Sequence, residues 1–298
     1  MTKTKMDYQA EEQLQLRAGK KADELIERLG LQAPIDPLAI AKAQKDLRFG
    51  GADFGTRYDG KLEFHPSKQR FLMYYNTKYD GGLPEGQHHP RTRFSVAHEL
   101  GHYFLDAHNA ALRGGKAAHV SLSEFRTHDS LEREADAFAA SLLMPTKQVK
   151  PIINAAEPSL ARLSALADQF GTSLVSAAFR TVKLSHFPCA IAGVRDGQVA
   201  WTFVSESVFD AKLYPRRGHF TKHAEKPWAD CQTGSGQFSE NEGRAGDWFT
   251  IYDDDRLEDI YVTEEYIPVP VMNMMLVLLT MDEDDLYPDD EDDSEDDD

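Results

Sequence analysis

From about Glu11 to Leu29 the apolar positions Leu14, Leu16, Ala22, Leu25, Ile26 and Leu29 recur at helical spacing, and Gly30 stops the run. Asp36 ahead of Pro37 then predicts the capped start of a second helix. Between 60 and 76 the period changes. KLEF and RFLMYYN read as strands joined by the polar HPSKQ turn, and GGLPEGQHHP at 81–90 reads as a loop. Helical spacing returns from Thr92 to Asp106, and again from Ser130 to just before Pro145, with a glycine-containing loop at Gly114 and Gly115 between them. Two shorter helical runs, SLARLSALADQF and TSLVSAAFRTVKL, flank Gly171. Beyond Pro188 the pattern turns to β, with CAIAGV, QVAWTFV, DWFTIY and DIYVTEEY as candidate strands and VPVMNMMLVLLTM at 269–281 as a buried strand or helix.

These elements predict an α+β chain in four parts: helices with a small sheet over 10–150, a helix-turn-helix-like segment over 151–186, a β-rich domain over 187–281, and an acidic tail over 282–298. No internal repeat is evident at periods of about 20 to 50 residues.

Charge sharpens this division. The net charge of -17 is concentrated in the tail, whose thirteen acids and no bases leave the rest of the chain only four charges negative. With so little apolar surface the tail is expected to stay disordered. Its acids can steer a basic partner, although aiding solubility is the simpler role. A mildly acidic body lacks the basic footprint for phosphate-backbone contacts, which argues against direct nucleic-acid binding. The segment around Gly171 has helix-turn-helix length, but Arg180 and Lys183 are its only bases near the second helix, so it reads as packing.

The opening MTKTKMDYQAEEQ carries no apolar stretch of a secretory leader, and the run at 269–281 is too short to span a bilayer. Cys189 and Cys231 are too few for a disulfide framework. A cytoplasmic protein with no membrane partner is the expectation. Trp201, Trp228 and Trp248 read as core residues.

The chemistry concentrates in His98-Glu99-Leu100-Gly101-His102. Positions i and i+4 share one helical face, so His98 and His102 can aim two imidazole nitrogens at one ion. Glu99 follows the first ligand, beside the metal but not on it, where its carboxylate can take a proton from water. A catalytic zinc also needs a third ligand. LEREADAFAASLLMP at 131–145 supplies Glu132 and Asp136, again an i, i+4 pair, so that one carboxylate can bind metal while the other accepts a hydrogen bond from a ligand imidazole. Glu134 competes for the ligand role, but Glu132 and Glu134 point about 200° apart on a helix and cannot both face the ion. His108, at the spacing of a third histidine ligand in HExxHxxGxxH, is a further rival. Leu105 stands where that pattern has Gly, and on a continuing helix His108 points away from His98 and His102.

RTRFSVAHELGH at 91–102 followed by LEREADAFAASLLMP resembles the ImmA/IrrE family of metallo-endopeptidases, as do IDPLAIAKA at 35–43 and the FLMYYN strand. The likeness covers about residues 20 to 150 and extends toward 184. It implies a zincin-like catalytic domain, zinc (or manganese) held by His98, His102 and Glu132, Glu99 as general base, and Asp136 behind the ligands. It also implies a helix-turn-helix DNA-binding repressor as substrate, cleaved to relieve repression. The other function considered is a non-catalytic repressor-binding regulator with a structural metal, which has no need of Glu99 beside the ion. For the oxyanion, Tyr103, His119 and His128 are donors of suitable type. FLMYYN could hold an extended substrate if it were an edge strand, although its simpler place is inside a sheet.

Overall fold

The computed structural model describes residues 5–115, 119–121, 129–216, 218, 239–252, 254–269 and 273–287. The chain divides into two units, Met1–Val149 with Leu166–Ser176, and Lys150–Ala165 with Ala177–Asp298.

The first unit begins with α1 (Lys5–Leu29), which ends where Gly30 takes a left-handed conformation (φ +63). There the Gly30 and Leu31 amides donate to the Glu27 and Ile26 carbonyls. The predicted cap of α2 (Pro37–Lys42) is present, the Asp36 carboxylate accepting from the Leu38 amide at 2.9 Å. Strands β1 (Leu47–Ala52), β2 (Gly60–His65), β3 (Arg70–Asn76) and β4 (His119–Ser121) form a sheet in the order β1-β3-β2-β4, with β1 parallel to β3 and the other pairs antiparallel. β1 was not foreseen, because LRFGGA carries two glycines and no alternating pattern. The edge-strand idea for FLMYYN fails, since β3 is hydrogen-bonded along both sides, by β1 and by β2.

Helices α3 (Pro90–Phe104), α4 (Asp106–Arg113), α5 (Ser130–Leu143) and α6 (Thr146–Ile153) follow. Helix α3 lies against β2 and β3, while α5 lies against both α3 and α1. Their shared core joins Leu62, Phe71 and Met73 of the sheet to Val96, Ala97 and Leu100 of α3, Phe138 and Leu142 of α5, and Leu25 and Ile26 of α1. Burial of these side chains, at about 1.5–3 kcal/mol each, fixes α3 and α5 side by side. That pairing positions the site.

α7 (Leu160–Phe170) and α8 (Leu174–Leu184) are joined through Gly171, at φ +62. The segment 151–186, one part in the sequence reading, is divided by its contacts between the two units. Residues 166–176 belong with the first unit, where the Gly171 carbonyl accepts from Arg93 Nε at 3.0 Å and the Thr172 hydroxyl lies 3.8 Å from Met144 S. Arg180 is buried and so unavailable to a phosphate backbone.

In the second unit β5 (Cys189–Arg195), β6 (Gln198–Val204), β7 (Tyr214–Pro215), β8 (Ser239–Arg244), β9 (Phe249–Thr250), β10 (Tyr261–Val269) and β11 (Met274–Thr280) build an antiparallel sheet of order β6-β5-β11-β10-β8 and the small pair β7-β9. The apolar run near 274–280 is its fully flanked central strand. DWFTIY is not one strand. Ala245–Trp248 forms a helical turn instead, the Arg244 amide donating to Asp247 Oδ2 at 3.3 Å, and only Phe249–Thr250 remains extended. Trp201 and Trp248 are buried, as is the Cys189 thiol, which burial pushes up to about 11. Trp228 and Cys231 lie outside the described residues.

The start of the acidic tail also departs from expectation. Glu283–Leu286 is helical, capped by Asp282 accepting from the Asp284 amide at 3.1 Å, because Leu286 is buried in the second unit's core and the Tyr287 hydroxyl donates to the Ser207 carbonyl at 2.6 Å. The acidic residues from 288 onward lie outside the described residues. No helix among the described residues is long and apolar enough to cross a membrane.

Candidate metal centre

Helix α3 starts from His89, whose ring nitrogen accepts from the Arg91 amide at 3.2 Å, with Pro90 in the first turn. Asp80 ties the preceding loop to this end, accepting from the Thr92 hydroxyl at 2.7 Å and the His89 amide at 2.9 Å. Arg93, half-buried in the first unit, donates to the carbonyls of Ile35 and Gly171. The RxRF arginine is thus a brace that fixes the helix rather than a group facing substrate. With the helix so held, its face carrying His98, Glu99 and His102 is buried against α5.

On α5, Asp129 caps the first turn by accepting from the Leu131 amide at 3.0 Å. Glu132 reaches the two imidazoles, with Oε2 3.4 Å from His98 Nε2 and Oε1 3.7 Å from His102 Nε2. The two Nε2 atoms are 3.1 Å apart. One donor atom from each of the three residues falls within 4.8 Å of the others, a cluster able to hold a metal ion. Asp136, one turn along α5, lies at the back of the first imidazole, its Oδ1 2.8 Å from His98 Nδ1. Glu99 is fully buried beside this cluster, and its charge acts on the His98 ring.

Burial by itself favours the neutral His98 imidazole. The hydrogen bonds to Asp136 and Glu132 outweigh it, with help from the charges of Asp136 and Glu99, and push the ring up to about 10. Two imidazole nitrogens and a carboxylate converging at one buried point are a donor set that a divalent cation takes. The residues present therefore fit a His2Glu metal.

Other sequence candidates go elsewhere. Glu134 is not with the cluster; its carboxyl, raised by burial and by the charge of Asp129, lies 3.6 Å from His108 Nε2. Tyr103 is not an oxyanion donor. Its hydroxyl is committed to Asp46 at 2.5 Å, its ring stands edge-on to Phe71, and burial together with the Asp46 contact raises its pKa. The His119 side chain and His128 lie outside the described residues.

His108 corrects the helical-face argument. Helix α3 does not continue: Leu105 is extended (φ -76, ψ 119), α4 starts at Asp106, and the break needs no left-handed glycine. The turn brings buried His108 back until its Nδ1 is 2.9 Å from His102 Nδ1. It meets the nitrogen of His102 that points away from Glu132. The sequence signal for this return was Asp106, an acid suited to a new first turn.

The pattern and its geometry agree with what the chain matches. Residues 64–182 fit the profile of the IrrE N-terminal-like domain, peptidase family M78. This segment belongs to the ImmA/IrrE family. The IrrE-like domain so defined contains both the HELGH helix and the Glu132 helix. Among solved structures, a Mycobacterium tuberculosis transcriptional regulator superposes with a TM-score of 0.52 at 11% identity, covering 89% of this chain and 76% of that one. At that identity the likeness is one of fold. No curated protein matches the chain.

Gly101 sets how closely the two helices of the IrrE-like domain approach. A Cβ there would stand 3.1 Å from Ala135 Cα and 3.2 Å from the Ala135 carbonyl oxygen, main-chain atoms that cannot turn aside. Gly101→Ala is expected to cost about 1–3 kcal/mol, as overpacking does, and to weaken metal binding by moving Glu132 away from the histidines. Thermal unfolding and a metal titration check it; unchanged values in both would show that the helices are free to separate.

Proposed function

We propose that this chain is a zinc-dependent endopeptidase whose substrate is a helix-turn-helix DNA-binding repressor. The observation that supports the reading is the convergence of His98, His102 and Glu132 with buried Glu99 at their side; the repressor rests on the family resemblance. In this reading His98 Nε2, His102 Nε2 and Glu132 hold the ion, while Asp136 orients His98 through Nδ1. A bound zinc supplies Lewis acidity toward a water and a peptide carbonyl. Glu99 accepts the proton of the attacking water on its carboxylate and later delivers it to the leaving amine. Its burial excludes bulk water as a competing proton acceptor and strengthens its electrostatic influence.

The test incubates the full chain, loaded with zinc, with a purified helix-turn-helix repressor. The expected result is cleavage that a chelator abolishes and added zinc restores. Stable binding of an intact repressor by the metal-loaded protein would instead make it a non-catalytic regulator.

A further inference from the structure

The two ligand histidines are held from behind by different groups. His98 Nδ1 meets Asp136, whereas His102 Nδ1 meets His108 Nδ1 at 2.9 Å, and His108 Nε2 in turn faces Glu134 Oε2 at 3.6 Å. The His102 ring sits between its two histidine neighbours, with centroid separations of 4.9 Å on each side. All three rings are buried. A neutral imidazole has one N–H and one lone pair, so two facing Nδ1 atoms require that one donate and the other accept.

We propose that His108 and Glu134 form a relay behind the metal centre that fixes His102 as its Nδ1–H tautomer and so points its Nε2 lone pair at the ion. The inference rests on the metal-site reading above. Glu134 Oε2, at the 3.6 Å of an ion-pair contact and not of a hydrogen bond, biases His108 electrostatically toward the tautomer with its proton on Nε2. That leaves the His108 Nδ1 lone pair to accept from His102 Nδ1–H. His102 Nε2 is then a pure donor to metal, matching His98, whose Nδ1–H is taken by Asp136. The opposite assignment would place a proton on His102 Nε2, among His98 and Glu132, where it blocks coordination. His108 is thus a positioning residue, and α5 supports both imidazoles: Asp136 serves the first directly and Glu134 serves the second through His108.

The experiment compares wild type with His108→Leu, His108→Asn and Glu134→Gln. Leu fills the buried volume without an acceptor; Asn places an amide oxygen near the position of Nδ1. Zinc affinity is measured by competition with a chromophoric chelator, and the His102 tautomer by two-bond ¹H–¹⁵N spectra of histidine-labelled metal-free protein. The relay predicts about 10–100-fold weaker zinc binding in His108→Leu, with His102 no longer held as Nδ1–H. It predicts a smaller loss in Glu134→Gln, and recovery of both affinity and tautomer in His108→Asn. Should His108→Leu fail to fold, the Asn and Gln variants carry the same comparison. Wild-type affinity together with an unchanged His102 tautomer in His108→Leu would overturn the relay. So would a wild-type His102 that carries its proton on Nε2. Neither readout depends on cleavage, so a protein that proves not to be a protease leaves this test intact.

Discussion

Glu99→Gln is expected to keep its metal and lose about 10²–10⁴-fold in proteolytic rate, the range that a positioned general base contributes. The amide occupies the same space, so the buried helix face should pack as before, and His98, His102 and Glu132 are untouched as donors. What disappears is the carboxylate proposed to take the proton from water. Removing one negative charge beside the cluster should weaken metal binding only modestly, because no donor atom is lost. Metal content should therefore hold at saturating zinc while the rate collapses. Single-turnover cleavage and elemental analysis on the same preparation check both halves, and a near wild-type rate would remove Glu99 from the mechanism.

Glu132→Ala is expected to reduce zinc affinity by more than the roughly 10–100-fold typical of an outer partner, because it would remove one of the three proposed ligands and leave only two imidazoles. Its neighbour separates this from a general charge effect. Glu134→Ala deletes the same charge two residues away, but that carboxylate faces His108 and not the cluster. Its loss should be the smaller. Equal losses in the two variants, measured by chelator competition, would mean that bulk negative charge rather than coordination governs binding.

Much of this centre could be read from spacing alone because it is local to two helices. An i, i+4 pair on one helix must share a face whatever surrounds it, so His98 with His102, and Glu132 with Asp136, were legible as pairs. The same rotation says that Glu132 and Glu134 cannot share a face, and the two carboxylates do meet different partners; the preference for Glu132 rested on Asp136 one turn later. Helix ends set by Gly30 and Asp36 were legible for the same reason, since a left-handed residue or a capping carboxylate acts within one turn.

Tertiary structure decided whatever depends on chain segments meeting across long separations. The weak pattern of β1 becomes a strand only because β3 offers it a parallel partner. The interior place of β3, with no free edge for a substrate, is likewise a property of the assembled sheet. Residues 166–176 join the first unit through Arg93 and Met144, bonds that no local pattern announces. A short acidic stretch after Met281 becomes helical because Leu286 finds a core to enter. His108 shows the limit most clearly. Its spacing was visible, but its direction hung on one extended residue at Leu105, whose conformation is set by how α3 and α4 pack and not by the identity of Leu. The sequence by itself therefore determined which side chains share a helical face and could form the cluster of His98, His102 and Glu132, since helical periodicity is an intramolecular constant. Which groups stand behind that set was left to the packing of α4 and α5, because a contact between helices is paid for only by the burial that the whole fold provides.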